Sequence, residues 1–423
     1  MKNPIEGHLL PDTARVGQDG HLFVGGVRVA DLAYEFGTPL FVYDEAHLRN
    51  RCRDVVSVFG DGATYATKAF LCKAMARLAH EEGMRLDVAT GGEMHVALAA
   101  GVPADRLVLH GNNKSTDELA AAIDVGVGRI VVDSLDELER IERLAPSGRQ
   151  IPVLLRLTPG VEAHTHEFVS TGQDDSKFGF TVSSGAAKAA VDAARSAPHL
   201  DLRGIHCHIG SQVLRVDSYA RALEVIADFA AGFAFDEVVV GGGLGVAYTS
   251  DERAPGLTEW SSVISEAAQR VGLDAQITVE PGRAVVATAA MTIYTVGTIK
   301  DLPGIRTYVS VDGGMSDNAR PVMYGSRYET FLPRAAHAER SKPIRLVGKH
   351  CESGDVIVRD GWVPPDIRVG DIIATPVTGA YGYSMSSNYN RVPRPAVVFV
   401  ADGNARLVIR RESIADLLST DTG

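Results

Sequence analysis

From about residue 63 the chain repeats one theme: a short run of β-branched or apolar residues, a polar or glycine-containing loop, then a stretch of helical spacing. Eight such runs can be read off, ATYATKA, RLDVATG, RLVLHGN, RIVVDS, PVLLRLTPG, LRGIHCHIG, DEVVVGGGLG and QITVEPGR. Between most of them lie Ala- and Leu-rich stretches such as STDELAAAIDVG, SGAAKAAVDAARSA and SYARALEVIADFAAGF. This alternation predicts parallel strands joined by helical crossovers, and eight of them in roughly 230 residues fit the size of a (β/α)8 barrel, where a doubly wound sheet would need fewer. Lys68, Asp87, His110, Arg156, His208, Gly241 to Gly245 and Glu280 all fall at the ends of these runs. In a barrel those ends form the active-site face. On either side the pattern changes: residues 21–45 and 290–412 read as strands with few helices between them. The expected architecture is an α/β chain with a TIM-type barrel over residues 46–289 and a β-rich, sandwich- or barrel-like domain built from both chain ends, 1–45 and 290–423.

Composition narrows the class. The 423 residues are 45% hydrophobic, so a sizeable core is expected, and 42 basic against 53 acidic residues give a net charge of −11. The basic residues are scattered, which argues against nucleic acid and anionic membrane as partners. Cys52, Cys72, Cys207 and Cys351 show no CxxC spacing and are too sparse for a disulfide framework. No apolar run has the length of a signal peptide or a membrane span. A soluble, cytoplasmic protein is expected.

Each chemical motif carries a bland reading beside a sharp one. Lys68 follows the alternating TYATK and is expected at the end of the first strand, in the barrel mouth, where an amine can lose its proton at modest cost and form a Schiff base with an aldehyde; the alternative is a surface lysine. GGGLG offers bare N–H groups to a phosphate, with Ser211 adding a hydroxyl, or it is only a tight turn. It is not the dinucleotide fingerprint, since position 246 is Val and no helix clearly starts there. HCHIGSQ puts His206 and His208 on one side of a strand, as a metal pair, a plate against a planar cofactor, or packed core. Cys207, pointing the other way, is expected in the core. His164 and His166 lie in a polar loop and are expected to be exposed. EPGR gives Glu280, able to hold a heterocyclic nitrogen protonated, and Arg283, able to grip a carboxylate or phosphate. Lysine, phosphate loop, ring-stacking histidine and nitrogen-facing acid together are what pyridoxal phosphate requires.

The ordered set YATKA, DVATGGE, HGNNKS, HCHIGSQ, GGGLG, EPGR, VDGGMSDNARPVMYG, CESGD and GAYGYSMSS resembles the diaminopimelate decarboxylases, of the barrel-type (fold type III) pyridoxal-phosphate decarboxylases, from about residue 35 to 412. The resemblance implies a pyridoxal 5'-phosphate enzyme that decarboxylates meso-2,6-diaminopimelate to L-lysine, working as a homodimer with active sites shared between subunits. It makes Lys68 the Schiff-base lysine, His208 the residue stacked on the ring, and Glu280 the partner of the pyridine nitrogen. Ser211, Gly242, Gly243, Gly282 and Arg283 would surround the phosphate, Asp87 and His110 would support, and Tyr381 would close over the cofactor. Two departures, AFLC after Lys68 and Gly382 in GAYGY, touch none of these roles.

Substrate choice follows from charge. Diaminopimelate carries a distal carboxylate and a distal amine beyond its reacting centre. Arg320, Arg283 and Tyr324 meet the first need, and Glu352 the second; relatives acting on ornithine or arginine have no distal carboxylate and typically carry a shorter aspartate at that point. For Arg320 and Tyr324 the alternative is ordinary surface. Cys351, in KHCESGD, lacks both a disulfide partner and a second nearby metal ligand. It is either a buried structural cysteine or the thiol that reprotonates the carbanion, which the resemblance puts in the other subunit's site. The competing functions are a decarboxylase of another basic amino acid, an amino-acid racemase, a catalytically silent regulatory homologue, and a metal-dependent hydrolase using His206, His208 and an acid. The polar loop HEFVSTGQDDSKFG is expected to act as a lid.

Overall fold

Short β-branched runs bounded by turn residues favour extended backbone, and here each becomes a strand. The computed structural model describes residues 2–161 and 175–423. The eight runs yield Thr64–Ala66, Arg85–Val88, Leu107–Leu109, Arg129–Val132, Ile151–Thr158, Leu200–Cys207, Glu237–Gly241 and Gln276–Val279. They pair in parallel in chain order. A parallel bridge between Ala63 and Val279 joins the last strand to the first, and the sheet closes into a barrel. His164, His166 and most of the stretch expected as a lid lie outside the described residues.

The crossovers are helical because their ends are capped. Ser115 accepts from the Glu118 amide while the Glu118 side chain accepts from the Ser115 amide, a reciprocal cap on the helix Thr116–Val125. Thr90 and Ser134 cap the helices Gly91–Ala99 and Leu135–Leu144 in the same position, each worth about 1 kcal/mol. Inside the barrel Val108, Val131, Leu154 and Val239, from four strands, meet in one buried cluster. At the strand starts, opposite the active-site face, Glu237 receives Arg85 at 3.3 Å, Arg129 at 3.0 Å and the Thr278 hydroxyl at 2.7 Å. Such a network at the closed end serves stability.

Two compact units emerge from the contacts. One is Arg51–Gly245 with Ala254–Ala284, the barrel; the other is Met1–Asn50, Val246–Arg253 and Val285–Gly423. In the second unit a sheet runs in the order Val356–Val363, Lys342–Val347, Arg306–Val311, Ala290–Leu302, Leu40–Asp44, Ala396–Ala401, Asn404–Ile409. Leu40–Asp44 is buried along its whole length because it lies centrally, antiparallel to Ala290–Leu302 and parallel to Ala396–Ala401. Both chain ends therefore build this β-rich unit. The stretch 21–45 is not all strand: Val29–Phe36 is a helix, burying Val29 and Leu32, three positions apart on one face. Among the described residues no helix is long and apolar enough to cross a membrane.

Candidate active site

Glu280 directly follows the last barrel strand, and the closure of the sheet brings it to two imidazoles. Its Oε1 lies 3.0 Å from His110 Nε2 and its Oε2 lies 3.0 Å from His206 Nε2. All three residues are buried, and Asp87 Oδ1 lies 3.8 Å from the same His110 nitrogen. Burial pushes the Glu280 carboxyl up, but the two imidazoles outweigh it and hold the group well below the usual carboxylate range. Burial opposes protonation of His110, yet Asp87 and Glu280 together raise it. His206 is driven down by burial in spite of Glu280. The cluster thus favours the carboxylate form of Glu280, favours protonation at His110 and disfavours it at His206. The three ligand atoms lie within 4.8 Å of one another, the donor set of a metal site. Each carboxylate oxygen, however, already faces one imidazole nitrogen, and His206 works with His110 instead of His208.

His208, just past its strand, receives the Gly242 N–H on Nδ1 at 3.3 Å. Burial and the nearby charges of Lys68 and Arg156 keep it neutral. Lys68 sits in the turn Thr67–Ala69 that ends the first strand, its side chain exposed between two buried neighbours. The Thr67 hydroxyl, at 2.7 Å from the Asp87 carbonyl and 3.1 Å from Glu93 Oε2, ties this turn to the next strand. The charge on Lys68 is felt at Glu93, His110 and His208, so the lysine belongs to this face of the barrel.

The glycine turn packs backbone against backbone. A Cβ on Gly242 would lie 2.0 Å from the Glu280 carbonyl oxygen, and one on Gly243, at φ +94°, 2.0 Å from that of Gly210. Only glycine permits that approach. Ser211 Oγ accepts from Arg283 Nη2 at 2.8 Å, which draws the turns HIGSQ and EPGR together beside GGGLG. No helix begins until Leu257, consistent with the rejection of a dinucleotide fingerprint.

The β-rich unit carries a second group of candidates. Arg320 is only 5% exposed, lies 4.3 Å over the Tyr248 ring and donates to the Tyr328 hydroxyl, so the surface alternative fails for it. The three tyrosines Tyr248, Tyr328 and Tyr381 raise its proton affinity although burial opposes them. Tyr324 follows one turn later on the helix Arg320–Tyr324 and is half-buried. Cys351 is exposed while Cys52, Cys72 and Cys207 are buried, which removes the buried-structural reading of Cys351 and agrees with a core Cys207. Glu352 is exposed as well and accepts from the Tyr389 hydroxyl. Asp355 anchors the loop from below, accepting from the Met315 amide at 2.6 Å and the His350 amide at 2.8 Å. Tyr381 is half-buried at φ +59°, a strained conformation for a non-glycine residue.

Residues 45–287 match the family model "Pyridoxal-dependent decarboxylase, pyridoxal binding domain". A diaminopimelate decarboxylase of Mycobacterium tuberculosis is 50% identical over 424 residues, covering 95% of each chain. The chain belongs to the diaminopimelate decarboxylases. The enzyme of this family from Bacillus subtilis is 45% identical, covering 97% of this chain and 98% of that one. Among solved structures, the diaminopimelate decarboxylase of M. jannaschii in co-complex with L-lysine superposes with a TM-score of 0.90 at 32% identity, over 97% of this chain and 98% of that chain.

Several of the residues just described carried no assigned role in the sequence. Glu93, Tyr248, Tyr328 and Tyr389 are ordinary-looking side chains in loops or helices, and nothing in their spacing marks them. Arg156 had a signal, its place at a strand end, and it emerges buried with its guanidinium 4.1 Å over the Phe178 ring. His206 had one too, in HCHIGSQ, but its partner Glu280 lies 74 positions away, just past a strand two over in the parallel sheet.

Proposed function

We propose that this protein decarboxylates meso-2,6-diaminopimelate to L-lysine and CO2 with pyridoxal 5'-phosphate as cofactor, the closing step of lysine biosynthesis. The observation that carries the reading is Glu280, kept ionised between His110 and His206 on the same face of the barrel as Lys68. The residues fit the cofactor. Each carboxylate oxygen has a second lone pair, so Glu280 can still accept from a heterocyclic N–H. The glycine turn carries no side chains, and the Ser211 hydroxyl and the Arg283 guanidinium lie beside each other at 2.8 Å, a donor set suited to a phosphate. A neutral imidazole, His208, suits the face of a cationic ring.

Lys68 would hold the aldehyde end, and Ser211, Gly242, Gly243, Gly282 and Arg283 the phosphate. Tyr381 would cover the ring, with Asp87 keeping His110 charged and His110 keeping Glu280 ionised. Bound there, the cofactor supplies an aldehyde that takes up the substrate amine and a conjugated ring that accepts the electrons of the broken carboxylate bond. Arg283, Arg320 and Tyr324 would bind the distal carboxylate and Glu352 the distal amine. Once CO2 has left, the Cys351 thiol is the group suited to return a proton to the carbon that lost it. The protein would act as a homodimer in which Cys351 and Glu352 of one copy complete the barrel site of the other; their joint exposure on the β-rich unit supports this. Reduced thiols and the absence of any cysteine pair among the described residues support a cytoplasmic setting.

The test is direct. Purified protein supplied with pyridoxal phosphate should release CO2 and L-lysine from meso-diaminopimelate, and borohydride should fix the cofactor to Lys68. Stable cofactor binding with no lysine formed would contradict the proposal.

A further inference from the structure

The exposed carboxylate of Glu352 does not stand alone. Its Oε1 accepts from the Tyr389 hydroxyl, while among the described residues its Oε2 accepts no hydrogen bond. A long, exposed glutamate otherwise samples many rotamers, and an acceptor that must meet one ammonium group loses affinity with each of them. The phenol removes that freedom and leaves one oxygen to offer.

Tyr389 is itself held in place. Its ring lies against His350, centroids 5.3 Å apart at 41°. The His350 ring is fixed at both nitrogens, Nε2 at 2.8 Å from Ser316 Oγ and Nδ1 at 3.1 Å from Asn390 Oδ1, and its amide is tied to Asp355 Oδ2. The two residues that follow Tyr389 both take left-handed backbone, Asn390 at φ +52° and Arg391 at φ +56°. Two consecutive non-glycine residues in that region are costly and persist only where the surroundings impose them. Here the surroundings are the Asn390–His350 contact, the bond from Arg391 Nη1 to the Leu417 carbonyl at 2.9 Å, and the bond from Asn388 Nδ2 to the Val392 carbonyl at 3.1 Å. The backbone is bent so that the tyrosine reaches across to the KHCESGD loop.

We infer that Tyr389 is a specificity-determining positioning residue: through its hydroxyl it orients Glu352 so that Oε2 meets the distal ammonium of the substrate. The inference rests on the reading of Glu352 given above and extends it to a residue outside every motif assigned a role. It concerns recognition of the distal amine, not the reacting centre, so its signature is a loss of discrimination between substrates with and without that amine.

The experiment compares kcat/KM for meso-diaminopimelate with that for 2-aminopimelate, which keeps the distal carboxylate and lacks the amine, in the parent enzyme, Tyr389→Phe and Glu352→Gln. Hydrogen bonds to charged groups commonly correspond to a factor of about ten or more. Tyr389→Phe should therefore lower the preference for diaminopimelate about tenfold, the loss falling on KM more than on kcat, and Glu352→Gln should lower it further. In a Glu352→Gln background the added Tyr389→Phe change should lower the ratio by less than twofold, because the two act as one unit. If Tyr389→Phe leaves the ratio unchanged while Glu352→Gln collapses it, the inference is overturned and the reading of Glu352 stands. If Glu352→Gln leaves the ratio unchanged, the reading of Glu352 fails and the inference falls with it. Should Tyr389→Phe not fold, Tyr389→Met, which likewise lacks a donor, carries the same comparison. A preference about tenfold below parent supports the inference, and a preference equal to parent overturns it.

Discussion

Replacing Glu280 by glutamine removes one charge and keeps the size of the side chain. The residue is 5% exposed, and each of its oxygens lies 3.0 Å from an imidazole nitrogen. At an effective dielectric of about 20, an ion pair at about 4 Å is worth about 4 kcal/mol. Burial of the charges takes back part of this, so the surplus is smaller than the pair energy. Losing one preorganised charge at a reacting centre typically costs about 100- to 1,000-fold in turnover, or about 2.7–4 kcal/mol. We therefore expect Glu280→Gln to fold, to bind cofactor more weakly, and to lose between about 100- and 1,000-fold in kcat at saturating cofactor. Removing the anion also leaves only Asp87 to oppose the burial of His110, so His110 should give up its proton at lower pH than in the parent. Steady-state CO2 release and a histidine NMR titration read the two effects separately. A kcat within tenfold of parent, or an unmoved His110 titration, would refute the reasoning.

Three further outcomes are expected. Cys351→Ala should retain the cofactor absorbance and lose about 100- to 10,000-fold in kcat, the usual range for removing a general acid; near-parent turnover by the same CO2 assay would reduce Cys351 to a bystander. Asp317 is buried, accepts from the Tyr294 hydroxyl at 2.8 Å and the Gly314 amide at 2.9 Å, and is pushed up to about 7 by burial first, with Asp355 and Asp312 adding to it. Unfolded, it would lose its proton near 3.8, so between that pH and about 7 the folded state binds more protons and stability falls as pH rises. The full effect is roughly 4 kcal/mol. Asparagine can imitate the protonated acid, its carbonyl on the Gly314 N–H and its amide on the tyrosine oxygen, so urea titrations of Asp317→Asn between pH 5 and pH 8 should show a stability that declines less than the parent's; an equal decline would count against it. Glu237→Ala should lower unfolding free energy by roughly 2–3 kcal/mol, below the value for a fully buried pair because Arg85 and Arg129 reach solvent, while leaving turnover at low temperature nearly intact.

The barrel was legible because each strand is a short apolar run with a polar end, and the chemistry sits at those ends. Lys68, His208 and Glu280 could be found that way, and Ala63 with Val279 merely closes the ring. The β-rich unit was legible in outline from its alternating runs. The helix Val29–Phe36 was hidden there, since only two of its positions, Val29 and Leu32, are buried and the run is too short for a clear period. What the sequence withheld is long-range pairing. Glu280 with His206, Arg320 with Tyr248, and Glu352 with Tyr389 are joined by tertiary packing across 74, 72 and 37 positions, and no local pattern encodes such distances.

A competition assay tests the central claim most directly. One reaction containing meso-diaminopimelate, ornithine and arginine at equal concentration, followed by product analysis, reports relative kcat/KM values without assumptions about mechanism. The account predicts that L-lysine is the dominant product, with the amines from ornithine and arginine at least about 100-fold scarcer, on the order expected when a buried cationic site such as Arg320 is left without its carboxylate. Putrescine or agmatine formed at a rate comparable to lysine would contradict it.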